Sequence, residues 1–241
     1  MMSLRFPVRR RVSPLSRSRA FGALLLGALL FLPGTVRAGF NPDVKMFVHL
    51  VPETPDLRLN CFNHGVSGYE DVVVHGEAPT AGEAPRAYLA YVLIGGFDTE
   101  QGITGTQFGI AYDPEPHSGI DVDGWQDCAL YEWHLEDWPL AGTGNLLTWS
   151  QEDDCQKTEP LVVGFFHLLV YSPDRFILIK RPADERVSIA ACGITSSNTK
   201  DHIDDVVPRN LGFAGFGTKQ GYNPWDPKEN GDETRAKRKK D

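Results

Sequence analysis

Residues 87–97 read AYLAYVLIGGF and residues 106–112 read TQFGIAY, and these two stretches carry the strongest signal of secondary structure in the chain. The first is an apolar run that ends in a glycine pair. In the second, Phe108, Ile110 and Tyr112 alternate with small or polar residues, which places all three on one side of an extended chain. Short runs of this kind, bounded by Gly, Pro and Asp, are typical of β-strands.

Runs with the same character recur along the chain, at residues 44–51, 71–75, 129–135, 161–171, 176–180 and 187–192. No segment has a sustained helical periodicity, and the only helical feature we expect is a short turn within residues 119–127. The sequence therefore predicts an all-β chain that folds as an antiparallel β-sandwich, either immunoglobulin-like or jelly-roll in type.

Residues 102–114, GITGTQFGIAYDP, resemble a strand and turn of cohesin-type modules and of related bacterial immunoglobulin-like sandwiches. The run before it matches the preceding strand of those modules, so the resemblance covers residues 87–114. It implies a sandwich that serves binding or scaffolding at the cell surface, and it carries over no dockerin-binding residues. The whole chain also resembles uncharacterised exported proteins of environmental bacteria.

The first 38 residues have the order of a secretory signal peptide. Arginines precede the apolar run AFGALLLGALLFL at residues 20–32, and Val36-Arg37-Ala38 offers a small-residue cleavage site. The run is shorter than the roughly 20 residues of a membrane-spanning helix, and no later segment is apolar for longer. We expect cleavage near Ala38 and a secreted or periplasmic chain, with a retained anchor as the alternative.

The chain beyond the signal peptide is strongly acidic. It holds 17 basic and 32 acidic residues, a net charge of −15, whereas the full sequence has a net charge of −8. Such a surface repels phosphate backbones, so we do not expect nucleic acid as a partner. Solubility, cations or basic partners are consistent with this charge.

Composition divides the chain into four parts. Residues 1–38 are the signal peptide, residues 39–192 the β-sandwich domain, and residues 193–226 a glycine- and acid-rich extension that is partly docked. Within the extension, residues 211–217 (LGFAGFG) could add to the domain as an edge strand. Residues 227–241 form a charged tail that we expect to be disordered. The tail contains a basic cluster, RAKRKK, at residues 235–240.

Four cysteines follow the signal peptide: Cys61, Cys128, Cys155 and Cys192. An even number in an exported chain predicts two disulfides, and three pairings exist. We expect Cys128–Cys155, which flanks a strand–turn–strand unit, and Cys61–Cys192, which ties the early domain to its last strand. A zinc site is the alternative, because residues 61–64 have C-x-x-H spacing, but no second pair completes four ligands.

Aromatic residues cluster in the middle of the chain and form a candidate ligand platform: Trp125, Tyr131, Trp133 and Trp138. Exposed aromatic rings stack on the apolar faces of sugars. Burial in the core is the alternative. It is favoured for Trp133, which alternates with Tyr131 and Leu135 as a buried face would, and it stays open for Trp125 and Trp138.

Carboxylates suggest two further hypotheses. Asp121, Asp123 and Asp127 lie within seven residues and could bind calcium, although the calcium-loop pattern D-x-[DN]-x-[DN]-G is incomplete. Glu132 and Glu136 are candidates for a glycosidase pair. On one strand, however, they would lie about 13 Å apart, beyond the roughly 5–9.5 Å that this reaction needs.

Together these features favour a non-enzymatic exported β-sandwich that binds or scaffolds at the cell surface or in the periplasm, with a protein or a glycan as partner. One alternative is a secreted carbohydrate-active protein that binds glycans or acts as a glycosidase through Glu132 or Glu136. Another is a structural surface component. Apart from calcium, no cofactor is expected.

Overall fold

The computed structural model describes residues 40–54, 60–62, 64–149, 155–192 and 203–228. The predicted signal peptide and residues 229–241 of the charged tail lie outside the described residues. All described residues fall within one compact unit, Arg37–Asp241. In this part of the chain, no helix has the length and hydrophobicity to cross a membrane.

The described residues form twelve strands and two single 3₁₀ turns, Tyr69–Asp71 and Pro208–Asn210. In chain order the strands are β1 Lys45–Pro52, β2 His75–Gly76, β3 Arg86–Gly95, β4 Ile103–Ala111, β5 Ile120–Asp127, β6 Tyr131–His134, β7 Gly144–Thr148, β8 Leu161–Val170, β9 Arg175–Ile179, β10 Ser188–Ala191, β11 Ile203–Asp205 and β12 Phe213–Phe216. The predicted all-β fold is confirmed.

The strands build two sheets. The first has the order β1–β3–β8–β5 and is antiparallel throughout. The second has the order β11–β10–β4–β9–β12–β2, with β7 also paired to β4 and β6 paired to β7. The β12–β2 pair is parallel, and the other pairs of this sheet are antiparallel.

Between the two sheets lies the larger of two apolar clusters. Met46, Val48 and Leu50 of β1 contribute to it from the first sheet, and Phe108 and Ile110 of β4 contribute from the second. All five are at most 2% exposed. Their spacing of two residues follows from the alternation of side chains along a strand.

The outer face of the first sheet is covered as well. Phe47, Leu89 and Tyr91 are buried there in a second apolar cluster. The Tyr91 hydroxyl donates to the Asn60 carbonyl at 3.3 Å, and the Trp225 ring stacks on Phe47 with centroids 5.2 Å apart. Because both faces of β3 are covered, its sequence is a continuous apolar run and not an alternating one.

Several sequence expectations about individual segments are wrong. Residues 71–75 do not form a strand of their own, and only His75 and Gly76 pair as β2. The expected helical turn in residues 119–127 is the strand β5. β7, Gly144–Thr148, has no counterpart among the predicted strands. β5 is polar at many positions because its outer face meets solvent at the edge of its sheet, so the strand signal is weak.

The C-terminal extension is more closely integrated than the sequence predicts. β12 does not lie at an edge, because it pairs with β9 on one side and β2 on the other. The outermost strands are β2, β11, which pairs with β10, and β6, which pairs only with β7. Small residues in LGFAGFG allow this packing, since a Cβ at Gly212 would meet Phe47 Cβ and Pro224 Cδ at 2.7 Å.

Two disulfides form, as predicted, but their pairing is Cys61–Cys128 and Cys155–Cys192. The expected pairing, Cys128–Cys155 and Cys61–Cys192, is therefore wrong. Cys128 follows β5, beside the segment that covers the outer face of the first sheet. Cys192 donates its backbone N–H to the Gly102 carbonyl, next to the antiparallel β-bridge between Ile103 and Gln156, which follows Cys155. Tertiary proximity sets the pairing, and it also removes Cys61 as a zinc ligand.

A candidate binding surface at the edge of the sandwich

The chain crosses from the first sheet to the second between β5 and β6. The Cys128 N–H donates to the Val163 carbonyl at 2.9 Å, in the first sheet. Two residues later, the Leu130 N–H donates to the Thr148 carbonyl at 3.1 Å, in the second. The Cys61–Cys128 disulfide adds a covalent link at this crossing. The residues that follow are therefore held on a firmly anchored strand.

Tyr131 and Trp133 of β6 form an exposed aromatic pair. The two residues are 58% and 54% exposed, and their ring centroids lie 6.0 Å apart at an interplanar angle of 36°. The core position favoured for Trp133 by its alternation is wrong, because β6 turns its Tyr131–Trp133 face outward. Leu130 just before the strand is 53% exposed. We call Leu130, Tyr131 and Trp133, with the outer edge of β6, the β6 surface.

Trp125 and Trp138, the other two members of the predicted platform, point the opposite way. Their rings contact each other edge to face at 5.5 Å, and both contact Phe166, at 4.4 and 5.4 Å. Both pack against the main core. The four predicted platform residues thus divide into an outer pair available for contact and an inner pair that supports the strand from below.

Glu132 lies between the two pairs in sequence and turns inward. Its Oε1 accepts a hydrogen bond from Trp125 Nε1 at 2.7 Å and a second one from Asn145 Nδ2. Asn145, on β7, is fully buried. This carboxylate therefore joins β5, β6 and β7 where the two sheets meet, and it holds the aromatic pair in place.

A second carboxylate lies close to this one. Burial and the negative charge of Glu132 raise the pKa of Asp127 above its ordinary value. Glu136, the other glycosidase candidate, follows β6 and is exposed. The groups that Glu132 contacts are two hydrogen-bond donors that fix its position, which is the geometry of a structural carboxylate.

The outer edge of β6 has no strand paired with it among the described residues. On its inner side, the Leu135 N–H donates to the Gly144 carbonyl at 3.1 Å. Hydrogen-bonded and non-bonded positions alternate along an antiparallel pair, so the backbone groups of Glu132 and His134 point away from β7. An extended segment of another chain can add to such an edge.

The segment of chain that carries this edge holds acidic residues but no lysine or arginine. Residues 87–156 contain thirteen acidic residues and no lysine or arginine. β4, β5, β6 and β7 all fall within this range. A cationic partner therefore meets attraction across this part of the molecule and no like charge from these strands.

The predicted calcium ligands are spread along β5. Asp121, at its start, has Oδ2 3.0 Å from Nδ1 of His117. Asp127 is six residues further on, about 20 Å away in an extended strand. In the described part of the chain, no group of three His, Cys, Asp or Glu side chains is placed to hold a metal ion. Calcium binding at Asp121, Asp123 and Asp127 stays a prediction.

An open cavity elsewhere on the molecule contains none of the predicted site residues. It has a volume of about 300 Å³ and is lined by Ala111, Tyr112, Asp174, Arg175, Ile177 and Lys219. The inward position of Glu132 and the role of Asn145 as its partner do not follow from the local sequence pattern. One sequence signal does point to the surface, namely the absence of basic residues between Arg86 and Lys157.

No protein-family model matches the chain, and no curated protein matches it. Solved structures that resemble it include cohesin modules. The cohesin module of a family 33 glycoside hydrolase from Clostridium perfringens is 8% identical with a TM-score of 0.40, and the match covers 72% of this chain and 98% of that module.

Two further cohesins resemble this chain to a similar degree. The sixth cohesin of scaffoldin B from Acetivibrio cellulolyticus, solved with a Cel5 dockerin mutant, is 8% identical with a TM-score of 0.40, covering 73% of this chain and 99% of that one. The third ScaB cohesin of R. flavefaciens, solved with a group 1 dockerin, is 12% identical with a TM-score of 0.35, covering 60% and 92%. The weak cohesin-like resemblance expected from residues 87–114 is confirmed, and it concerns the fold alone.

Proposed function

We propose that this protein is a non-enzymatic binding module whose contact site is the β6 surface. Its partner is a protein that presents an extended, positively charged segment. The observation that carries this proposal is the exposed pair of Tyr131 and Trp133 on an unpaired strand edge. Aromatic residues are enriched at the centres of protein interfaces, where they supply most of the binding energy.

Rigidity supports a binding role for this strand. The Glu132 carboxylate holds β6 from below, and the Cys61–Cys128 disulfide holds the chain just before it. A strand that is already fixed loses little conformational entropy when a partner binds. The aromatic pair is therefore presented in one orientation before contact, as a recognition surface requires.

Two features favour a basic and extended partner. The outward backbone groups of Glu132 and His134 offer hydrogen bonds to an added strand. The side chains of lysine or arginine in such a strand can lie over the Tyr131 and Trp133 rings as cation–π contacts. The acidic surroundings attract the same side chains over a longer range.

The location of this activity belongs to the proposal. Two disulfides persist in oxidising compartments, and residues 1–38 have the pattern of a signal peptide. We place the mature chain at the cell surface or in the periplasm, where it scaffolds or retains its partner.

Interferometry on defined peptides tests this function. Synthetic twelve-residue peptides of graded lysine and arginine content are measured against the wild type, Y131A and W133A, with Ile203→Ala as the matched control. Ile203 is 40% exposed and lies on β11, at the opposite edge of the same sheet. We expect basic peptides to bind and W133A to weaken them at least tenfold, while I203A leaves them unchanged. Equal binding by W133A and the wild type would refute the site.

Glycan binding is a second candidate, because the tilted Tyr131–Trp133 pair also suits the apolar face of a sugar ring. A glycan array probed with the same variants separates the two functions. Loss of neutral-glycan binding in W133A favours a glycan site at the β6 surface, and glycan binding that W133A retains excludes such a site. For the glycosidase alternative, hydrolysis that persists unchanged in E132Q would remove Glu132 as a catalytic residue.

A further inference from the structure

We propose that the basic segment at residues 235–240 of this chain docks on its own β6 surface. The inference rests on the proposed function, since it names an occupant for the same surface. Residues 235–240 read RAKRKK, which places five positive charges in six residues. They lie outside the described residues, seven to twelve positions beyond Lys228, where the described part of the chain ends.

Charge complementarity is the first argument. The segment holds five of the 17 basic residues that follow the signal peptide, whereas residues 87–156 hold thirteen acidic residues and no basic one. The densest positive cluster beyond the signal peptide and the longest stretch without positive charge thus belong to one molecule. Opposite charges of this number attract over roughly a Debye length, about 8–10 Å at physiological salt.

Reach is the second argument. Trp225 stacks on Phe47 of β1, and β5 is the third strand from β1 in the same sheet. At about 4.8 Å between neighbouring strands, the path across the sheet is roughly 15 Å. Trp225 and Cys128 both pack against the cluster on the outer face of this sheet. The path continues from β5 to β6 through residues 128–130, about 7 Å further. The seven residues from Lys228 to Arg235 span up to about 23 Å, so the start of the segment can reach β6.

The chemistry of the surface fits such an occupant. An extended backbone can pair with Glu132 and His134 along the open edge. Alternate side chains of an added strand point to the same side as Tyr131 and Trp133. Arginine and lysine stems then cover the exposed rings, with their charged ends over the ring faces or toward solvent.

Tethering makes a weak contact sufficient. A segment joined by a short flexible linker has an effective concentration in the millimolar range. Docking at this strength can be displaced by a partner with a longer or better matched basic segment. The segment would therefore compete with external ligands, and its removal would expose the surface.

The test uses the full chain and a variant in which the five basic residues become glutamine: Arg235, Lys237, Arg238, Lys239 and Lys240. A control variant carries Lys157→Gln and Lys180→Gln. A second control exchanges Lys and Arg at the same five positions and so keeps the charge. The first readout is the Trp133 indole N–H resonance in NMR spectra, compared with that of the buried Trp149.

We expect the five-glutamine variant to shift the Trp133 resonance and leave Trp149 in place, while both controls match the wild type. The shift should be independent of protein concentration and should vanish at high salt. In interferometry, a synthetic peptide of residues 229–241 should bind the five-glutamine variant at least tenfold more tightly than the wild type. An unchanged Trp133 resonance and equal peptide affinity would overturn the inference, as would a concentration-dependent shift, which indicates docking between molecules.

The outcomes also separate this inference from the proposed function. If graded basic peptides lose binding in W133A but the five-glutamine variant behaves as the wild type, the β6 surface is a binding site and the docking segment is wrong. If neither the 229–241 peptide nor any graded peptide binds either protein, both proposals fail.

Discussion

The indole nitrogen of Trp125 donates a 2.7 Å hydrogen bond to the carboxylate of Glu132, and this contact joins the edge strands of the two sheets. Trp125 belongs to β5 of the first sheet and Glu132 to β6 of the second. The sandwich is thereby closed along the edge that carries the exposed aromatic pair. Glu132 is neighbour in sequence to both members of that pair, Tyr131 and Trp133, but its side chain faces the opposite way.

Removing the Glu132 carboxylate should destabilise the protein. In Glu132→Ala the Trp125 and Asn145 donors lose their acceptor, and an unsatisfied buried donor costs about 1–3 kcal/mol. Glu132→Gln keeps an amide oxygen as acceptor and should cost less. Urea unfolding measures both, with Glu136→Ala as the exposed control. If E132A and E136A unfold at the same urea concentration, the carboxylate does not hold this edge.

The inner and outer tryptophans should respond differently to truncation. Trp133→Ala removes an exposed ring and should change the free energy of unfolding by no more than about 0.5 kcal/mol. Trp125→Ala removes a ring packed on Phe166 and should cost about 3–5 kcal/mol. Thermal unfolding by circular dichroism distinguishes the two. A larger loss in W133A than in W125A would reverse the assignment of the two faces.

Gly164 should tolerate no side chain. It lies on β8 beneath Trp125, and a Cβ there would overlap the indole ring and approach the Gln126 carbonyl to 2.6 Å. Overpacking of this kind costs about 1–3 kcal/mol. Gly124 on the neighbouring β5 is a suitable control, because its Cβ would meet only His167 Cδ2 at 3.8 Å. Equal stabilities of G164A and G124A would contradict the packing of Trp125.

Acid should destabilise the packing on the outer face of the first sheet, where His49 contacts Val73. His49 is 5% exposed, and its Nδ1 accepts the Val73 N–H at 2.9 Å. Burial and the nearby His64 lower the pKa of His49 to about 4, although Asp71 acts in the opposite direction. The unfolded chain therefore binds more protons between about pH 6.5 and pH 4, and the stability that neutral His49 contributes is lost as the pH falls through this window.

The free energy of unfolding should fall by at most about 3 kcal/mol between pH 7 and pH 4, because a pKa difference of one unit corresponds to about 1.36 kcal/mol. Unfolding free energies measured from pH 7 to pH 4 test it. His49→Asn keeps an acceptor for Val73 without a titrating ring, so its profile should be flatter than that of the wild type. His134→Asn, at an exposed position, should follow the wild type. Parallel profiles for wild type and H49N would exclude His49 as the cause.

The disulfide pairing is directly measurable. No lysine or arginine lies between Arg86 and Lys157, so trypsin leaves Cys128 and Cys155 in one peptide. Cleavage at glutamate separates them, and mass spectrometry without reduction should then find Cys61 linked to Cys128 and Cys155 linked to Cys192. The loops close 67 and 37 residues, so loss of either bond should cost about 4 kcal/mol. A Cys128–Cys155 linkage would contradict the structure.

Local patterns in the sequence were sufficient to predict most of the strands that build the core. The runs at residues 44–51, 87–97 and 161–171 correspond to β1, β3 and β8, because apolar residues in short extended segments encode their own periodicity. β5 and β7 were not predicted. Their sequences mix polar and small residues at the edge of the sandwich, and only pairing with β8 and β4 makes them strands.

The all-β class, the presence of two disulfides and the acidic character of the chain follow from the amino-acid sequence. These depend on composition and on neighbours along the chain. The pairing of the cysteines and the exposure of the aromatic rings follow only from the folded arrangement. Both depend on contacts between distant segments. Cys61 meets Cys128 where the chain covers the outer face of the first sheet. Glu132 turns inward toward Trp125, so the side chains of Tyr131 and Trp133, on the other face of β6, point outward.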